Sequence, residues 1–236
     1  MLWEPLIISI FLSFTIWDDN EPQAIKNRLL VYKYRPQSMA AIIGQDDHKL
    51  FGQRLINQKR VPNLLLYGPP GVGKTAWAEC LAAGIFGWEL EDVWWRTFNA
   101  AELTKTEMLN LLWNFADRFA FVSPPAGLNF KLIVIDEADS LQKQAETFLR
   151  TKMEKESNFY RVIMICNDLS KISPPMQSRF GDALEFERLD PNLIRQRMDE
   201  IISNEKINIT QAHRDQIILK NRGDLRKSIG ALERYR

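Results

Sequence analysis

Short apolar runs alternate along most of the chain with longer segments in which apolar residues recur at helical spacing. The apolar runs cover residues 63–67, 93–98, 131–135, 161–166 and 183–186. The longer segments predict helices over 46–58, 76–86, 103–119 and 140–155. Uninterrupted apolar strands such as 131–135 are typical of a parallel sheet that is covered on both faces. The alternation therefore predicts an α/β fold with right-handed connections.

After residue 189 the pattern predicts helices only. Pro191, Thr210 and Asp224 are the residue types that begin or cap helices, and they mark the starts of three of them. We therefore predict an α/β domain over 21–189 and a small helical domain over 190–236.

Residues 1–20 form an apolar extension that ends in an acidic break. Its only early charge is Glu4, whereas a signal peptide begins with a positive region. The apolar run over 6–17 is shorter than the roughly 20 residues of a membrane-spanning helix. Three interpretations stay open: packing on the core or on a neighbouring subunit, weak contact with a membrane surface, or a start site that was assigned too early.

Composition excludes several classes of protein. The 236 residues are 45% hydrophobic and 26% charged, which is typical of a globular protein. The net charge of +1 means that any nucleic-acid binding must come from local patches. The two cysteines, Cys80 and Cys166, lie in apolar segments and indicate a reducing compartment, without a disulfide framework or a zinc site.

Residues 68–75 fit the spacing G-x-x-x-x-G-K-S/T of a phosphate-binding loop, the P-loop. Glycines let successive N–H groups turn toward phosphate oxygens, and the following helix directs its positive dipole end at the same anion. In such a loop the lysine contacts phosphate and the hydroxyl binds Mg²⁺. The candidate nucleotide-binding residues here are Gly68, Pro69, Pro70, Gly71, Val72, Gly73, Lys74, Thr75 and Ala76.

Polar residues follow two of the predicted strands. Asp136 ends the run 131–135, where a carboxylate can hold Mg²⁺, and the next side chain, Glu137, is a candidate general base for an attacking water. The alternative is that both acids only cap the next helix. Asn167 follows the next strand, and because parallel strands end at one edge, we expect its amide near the terminal phosphate.

In this order the motifs resemble those of the AAA+ ATPases, and most closely the small subunits of replication factor C, the sliding-clamp loader. The resemblance covers roughly residues 26–236 and is carried by 34–36, 43–45, 68–75, 135–139, 149–155, 165–167, 170–172, 175–180 and 223–227. It implies a P-loop parallel sheet flanked by helices, followed by a small all-helical lid domain.

The resemblance assigns roles at the matching positions. Lys74 and Thr75 would bind phosphate and Mg²⁺, Asp136 would bind Mg²⁺, and Glu137 would activate water. Asn167 would be the sensor 1 residue. With ATP as substrate and Mg²⁺ as cofactor, the expected activity is DNA-stimulated hydrolysis of ATP to ADP and phosphate.

Further roles lie outside the P-loop. Arg226 would be the sensor 2 residue of the lid, and Arg35 and Pro36 would border the adenine pocket. Arg179 would be a catalytic arginine finger that reaches the γ-phosphate of a neighbouring subunit. Asn63 would link partner binding to Glu137.

The resemblance also implies partners: other AAA+ subunits in a homo- or hetero-oligomer, expected to be a pentamer, a sliding clamp and primer–template DNA. A membrane partner is not expected. The expected location is the cytoplasm, or the nucleus in a eukaryote.

Three departures from the family pattern stand out. Phe180 replaces a cysteine, residues 99–102 only partly match an Asn-Ala-Ser-Asp stretch, and no collar domain is predicted after the lid. The second departure weakens the expectation that the following helix tracks DNA. Two alternatives to a clamp loader therefore stay open. One is an AAA+ ATPase with another task, such as a replication initiator, a helicase loader or a protein remodeller. The other is a nucleotide-switch scaffold subunit.

Overall fold

The computed structural model describes residues 29–101, 106–107, 110, 114–115, 125, 127–155, 159–181 and 183–236. Within these residues one sheet contains β1 (Leu64–Tyr67), β2 (Trp95–Asn99), β3 (Lys131–Asp136), β4 (Tyr160–Cys166) and β5 (Leu184–Glu185). The strand order is β2-β3-β4-β1-β5, and each pairing between neighbours is parallel. The predicted α/β class is confirmed.

The α-helices of the described residues are α1 (Leu30–Lys33), α2 (Asp46–Gln58), α3 (Lys74–Phe86), α4 (Lys143–Lys155), α5 (Pro174–Gln177), α6 (Pro191–Glu205), α7 (Gln211–Asn221) and α8 (Leu225–Ala231). Short 3₁₀ turns cover Met39–Ala41, Trp88–Leu90, Ala138–Ser140, Leu169–Lys171 and Leu232–Tyr235. The predicted helix over 103–119 and the apolar extension over 1–20 lie largely or wholly outside the described residues. No helix in the described ranges has the length and apolar character to cross a bilayer.

Helices cover both faces of the sheet, as alternate residues of β1 show. Leu64 and Leu66 belong to the apolar cluster that contains Trp77 of α3. Leu65, between them, belongs to the cluster that contains Leu149 of α4. Because successive strand side chains point to opposite faces, both faces of β1 are buried. This arrangement explains why the strand has an uninterrupted apolar sequence.

The helices α6, α7 and α8 form the lid and pack around a third apolar cluster. Leu30 of α1 is fully buried in this cluster, so the segment that precedes the sheet packs on the lid. The expected caps are present: Thr210 accepts a hydrogen bond from the His213 N–H, and Asp224 accepts one from the Lys227 N–H. The boundaries 21–189 and 190–236 stay predictions.

The predicted start of the helix after β3 is wrong. Ser140 does not cap that helix, because residues Ala138–Ser140 form a 3₁₀ turn and α4 begins at Lys143. The turn is closed by the Ser140 N–H, which donates to the Glu137 carbonyl at 2.8 Å. Glu137 itself has a left-handed backbone with φ 52°, which bends the chain immediately after the strand.

Candidate nucleotide-binding site

Because all the strands run in the same direction, the ends of β1, β3 and β4 meet at one edge of the sheet. A cavity of about 320 Å³ lies there. Its lining includes residues 70–76 of the P-loop together with Asp136, Glu137 and Asn167, and also Arg35, Pro36 and Arg226. The structure thus brings together most of the predicted site residues.

Two P-loop glycines are required by close approaches of the backbone. A Cβ on Gly68 would lie 2.1 Å from the Phe186 carbonyl oxygen, and one on Gly71 would lie 1.9 Å from Asp224 Oδ1. Both glycines also have positive φ angles, 134° and 75°, which side chains rarely allow. The first contact joins the P-loop to the end of β5, and the second joins it to the lid.

Lys74 is almost completely buried at the start of α3. Its ammonium group donates to the carbonyls of Gly68 at 2.6 Å and Pro69 at 2.8 Å, and to Asn167 Oδ1 at 3.0 Å. Burial lowers the pKa of this group, and the nearby Asp136 carboxylate acts in the opposite direction. All three hydrogen-bond acceptors are neutral, so they leave the positive charge available to an anion in the cavity.

Thr75 and Asp136 supply a pair of hard oxygen atoms. The Thr75 hydroxyl donates to Asp136 Oδ2 at 2.7 Å, and the Glu137 N–H donates to Asp136 Oδ1 at 2.9 Å. A hydroxyl and a carboxylate at the cavity fit Mg²⁺, which takes few protein ligands and completes its shell with water and phosphate oxygens. The described ranges contain no cluster of three or more His, Cys, Asp or Glu residues that could hold a metal ion.

The lid contacts the P-loop directly. The Leu225 N–H, at the start of α8, donates to the Gly71 carbonyl at 3.1 Å. The neighbouring residue Arg226 lines the cavity. The sequence indicated that Arg226 belongs to the site, but it did not indicate the contact of Gly71 with Asp224 and Leu225.

Apolar side chains complete the lining. They come from the segment before the sheet and from the lid: Val31, Tyr34, Ile42, Ile43, Leu189, Leu225 and Ile229. Such a surface suits the flat, apolar faces of a purine base. It accompanies Arg35 and Pro36, for which the sequence predicted contact with the adenine pocket.

Glu79 of α3 is a residue that the sequence analysis missed. Its carboxylate contacts the guanidinium of Arg35, with both oxygen atoms 2.7 Å from the same nitrogen. Burial raises the pKa of Glu79 to about 7, although Arg35 opposes the shift. The available signal was that Glu79 is the one acidic residue of α3, whose other residues are mostly apolar.

Four predicted residues are not part of the cavity lining: Gly68 and Pro69, whose carbonyls accept from Lys74, and Arg179 and Asn63. Arg179 follows α5 and is half-exposed, and its guanidinium forms an ion pair with Glu154 of α4. Asn63 precedes β1 and accepts a hydrogen bond from the Val162 N–H at 3.0 Å, at the amino edge of the sheet. Glu137 follows the carboxyl end of β3, so the structure does not bring Asn63 and Glu137 together.

The departure at position 180 has a structural explanation. Phe180 is buried in the apolar cluster on the α4 side of the sheet. It therefore fills the core beside Arg179 and leaves the arginine at the surface.

The fold and this cavity define a P-loop nucleotide-binding protein. A family model described as "ATPase family associated with various cellular activities (AAA)" matches residues 64–188, from the start of β1 to the segment just before α6. The match covers more than half of the chain, and the chain belongs to the AAA family.

Among curated proteins, the chain is similar to replication factor C small subunits. The protein of Methanosarcina acetivorans is 36% identical over 213 residues, which cover 90% of this chain and 62% of the relative. The protein of Archaeoglobus fulgidus is 34% identical over 203 residues, which cover 86% of this chain and 62% of the relative. The chain thus spans less than two thirds of the length of these relatives.

Among solved structures, the fold is similar to Thermotoga maritima RuvB, a Holliday junction branch migration motor. The TM-score is 0.66 at 23% identity, and the match covers 85% of this chain and 64% of the RuvB chain. At this identity the likeness supports the fold alone.

The contact between the P-loop and the lid leads to a prediction. Replacing Gly71 by Ala places a Cβ against Asp224, which is buried and caps α8, so the lid must move. We expect the Leu225 amide proton to exchange with solvent at least about tenfold faster, as measured by NMR hydrogen exchange. Gly181→Ala is the control, because an added Cβ there meets no atom within 4 Å. Equal protection of Leu225 in Gly71→Ala and wild type would show that the lid does not depend on this contact.

Proposed function

We propose that the chain binds ATP with Mg²⁺ and hydrolyses it as one subunit of a DNA sliding-clamp loader. The observation that carries this proposal is the convergence of Lys74, Asp136, Glu137 and Asn167 on one cavity that Arg226 of the lid also lines. The similarity to replication factor C small subunits supports the more specific part of the proposal.

The P-loop and the lid would bind the triphosphate. The Lys74 ammonium would exchange its carbonyl acceptors for phosphate oxygens, and Arg226 would add a second positive charge from the lid. Thr75 and Asp136 would hold Mg²⁺, which supplies charge neutralisation on the phosphates. The apolar lining near Tyr34 would exclude water from the base.

Glu137 would act as the general base. It follows Asp136 directly, has a left-handed backbone and lines the same cavity. Glu137 would take the proton of a water that attacks the γ-phosphorus, while the bond to the β–γ bridging oxygen breaks and ADP leaves. The Asn167 amide, which already contacts Lys74, would orient that water.

Arg179 would act in the site of a neighbouring subunit. It does not line the cavity of its own chain, and its side chain is exposed at the surface after α5. An arginine that completes a neighbour's site makes hydrolysis depend on assembly. A ring of AAA+ subunits, expected to be a pentamer, satisfies this requirement and would enclose primer–template DNA.

The first test of this proposal is the effect of DNA and clamp on ATP hydrolysis. We expect the steady-state rate to rise about tenfold or more when primed DNA and the sliding clamp of the same organism are added together, because their binding assembles the trans sites. Glu137→Gln should retain ATP binding and hydrolyse none, which provides the blank. No stimulation by either component would assign the ATPase to another task, such as initiation, helicase loading or protein remodelling.

The trans arrangement predicts complementation between two inactive variants. Arg179→Ala keeps the base and lacks the finger, whereas Glu137→Gln keeps the finger and lacks the base. In an equimolar mixture about a quarter of the interfaces combine both intact groups, so we expect about a quarter of the wild-type rate.

A matched arginine provides the control for this experiment. Arg96 is about as exposed as Arg179 and also forms an exposed ion pair, with Asp92. Arg96→Ala should hydrolyse ATP at the wild-type rate. Full activity of Arg179→Ala alone, or no recovery in the mixture, would show that Arg179 is not a trans-acting finger.

A further inference from the structure

One helix, α3, contacts both the P-loop end of the cavity and residues 34–36, which we call the rim. Its first residues, Lys74 and Thr75, belong to the P-loop. Farther along the same helix, Glu79 and Cys80 contact the segment that precedes the sheet. The same helix would therefore position both the phosphates and the base of a bound nucleotide.

Two consecutive residues of α3 contact two consecutive residues of the rim. Glu79 accepts from the Arg35 guanidinium at 2.7 Å, and the Cys80 thiol contacts the Pro36 carbonyl at 3.4 Å. Arg35 and Pro36 line the cavity, whereas Glu79 does not. The direct contact that connects this carboxylate to the cavity lining is the one to Arg35.

On its other side the rim is attached to the lid. The Tyr34 hydroxyl donates to Glu205 at 2.8 Å, and the Tyr34 carbonyl accepts from Arg197 at 2.9 Å. Without Glu79, the side chain of Arg35 would lose its ion-pair partner on α3, whereas Tyr34 would keep its contacts with the lid. The ion pair therefore determines where Arg35 stands relative to the P-loop.

We propose that Glu79 is a positioning residue for the base of the nucleotide, which it serves by holding Arg35 and Pro36 against α3. This inference rests on the proposed binding of ATP and adds a residue that makes no contact with ATP itself. It also separates two functions of α3: its N-terminus would bind phosphate, and Glu79 would position the base indirectly, through Arg35.

The burial of Glu79 favours a positioning role over a stabilising one. Its side chain is 14% exposed, and a carboxylate in such a place pays a desolvation penalty that an ion pair rarely exceeds. Burial raises the pKa of Glu79 to about 7 even with Arg35 beside it, which shows that the charge is not favoured there. The other charged groups that act on it are Glu91, Asp136 and Arg226.

The test compares a nucleotide with its phosphate chain alone. Dissociation constants of ATP and of inorganic tripolyphosphate, each with Mg²⁺, are measured by calorimetry for wild type and Glu79→Gln. We expect the variant to bind ATP about tenfold more weakly and tripolyphosphate equally well, because only the base contacts depend on Arg35. Retained tripolyphosphate binding also shows that the variant is folded.

Glu91→Gln is the matched control, since it removes a neighbouring charge that acts on Glu79 without being its hydrogen-bond partner. We expect this variant to bind both ligands as wild type does. If Glu79→Gln binds both ligands more weakly to the same extent, or binds both as tightly as wild type does, the positioning role is overturned. Failure of wild type to bind either ligand would instead reject the proposed nucleotide site.

A pH series provides a second readout. As the pH falls from about 8 to about 6, Glu79 takes up a proton and its attraction for Arg35 weakens. The affinity of wild type for ATP relative to tripolyphosphate should therefore fall, and the same ratio in Glu79→Gln should stay constant. A parallel fall in both proteins would assign the pH dependence to another group and would contradict the inference.

Discussion

The buried ammonium group of Lys74 is the interaction on which the site depends. It lies where β1 passes into α3, and its three hydrogen-bond acceptors are two P-loop carbonyls and the Asn167 amide oxygen. These neutral groups solvate the charge without neutralising it. A cavity that contains such a cation at the N-terminus of a helix attracts an anion. The parallel sheet makes this possible, because only parallel strands bring the ends of β1 and β4 to the same edge.

The lid and the segment before the sheet depend on the same P-loop. The Gly71 carbonyl accepts from the lid residue Leu225, and Gly71 leaves no room for a side chain beside Asp224. On the other side, Glu79 of the P-loop helix contacts Arg35. The lid, the rim and the P-loop are thus joined by short polar contacts. A displacement of the P-loop by a bound triphosphate would therefore shift both the lid and the rim.

The parts predicted from sequence are those set by local spacing or by chain direction. The glycine spacing of the P-loop identified the phosphate site, and the apolar run before Asp136 placed that carboxylate at the strand end. Three features could not be predicted: the first depended on the left-handed backbone of Glu137, and the other two on contacts between separate segments. These are the 3₁₀ turn that displaced the start of α4 beyond Ser140, the pairing of Glu79 with Arg35, and the ion pair of Arg179 with Glu154.

The most direct test of the central claim is a calorimetric titration of Mg·ATP into wild type and Lys74→Met. Methionine has a similar length and carries no charge, so the variant removes the cation with little change in volume. We expect the affinity for ATP to fall on the order of a hundredfold, because the phosphates lose a desolvated ionic partner. Equal affinity in the two proteins would contradict the claim that Lys74 anchors the nucleotide.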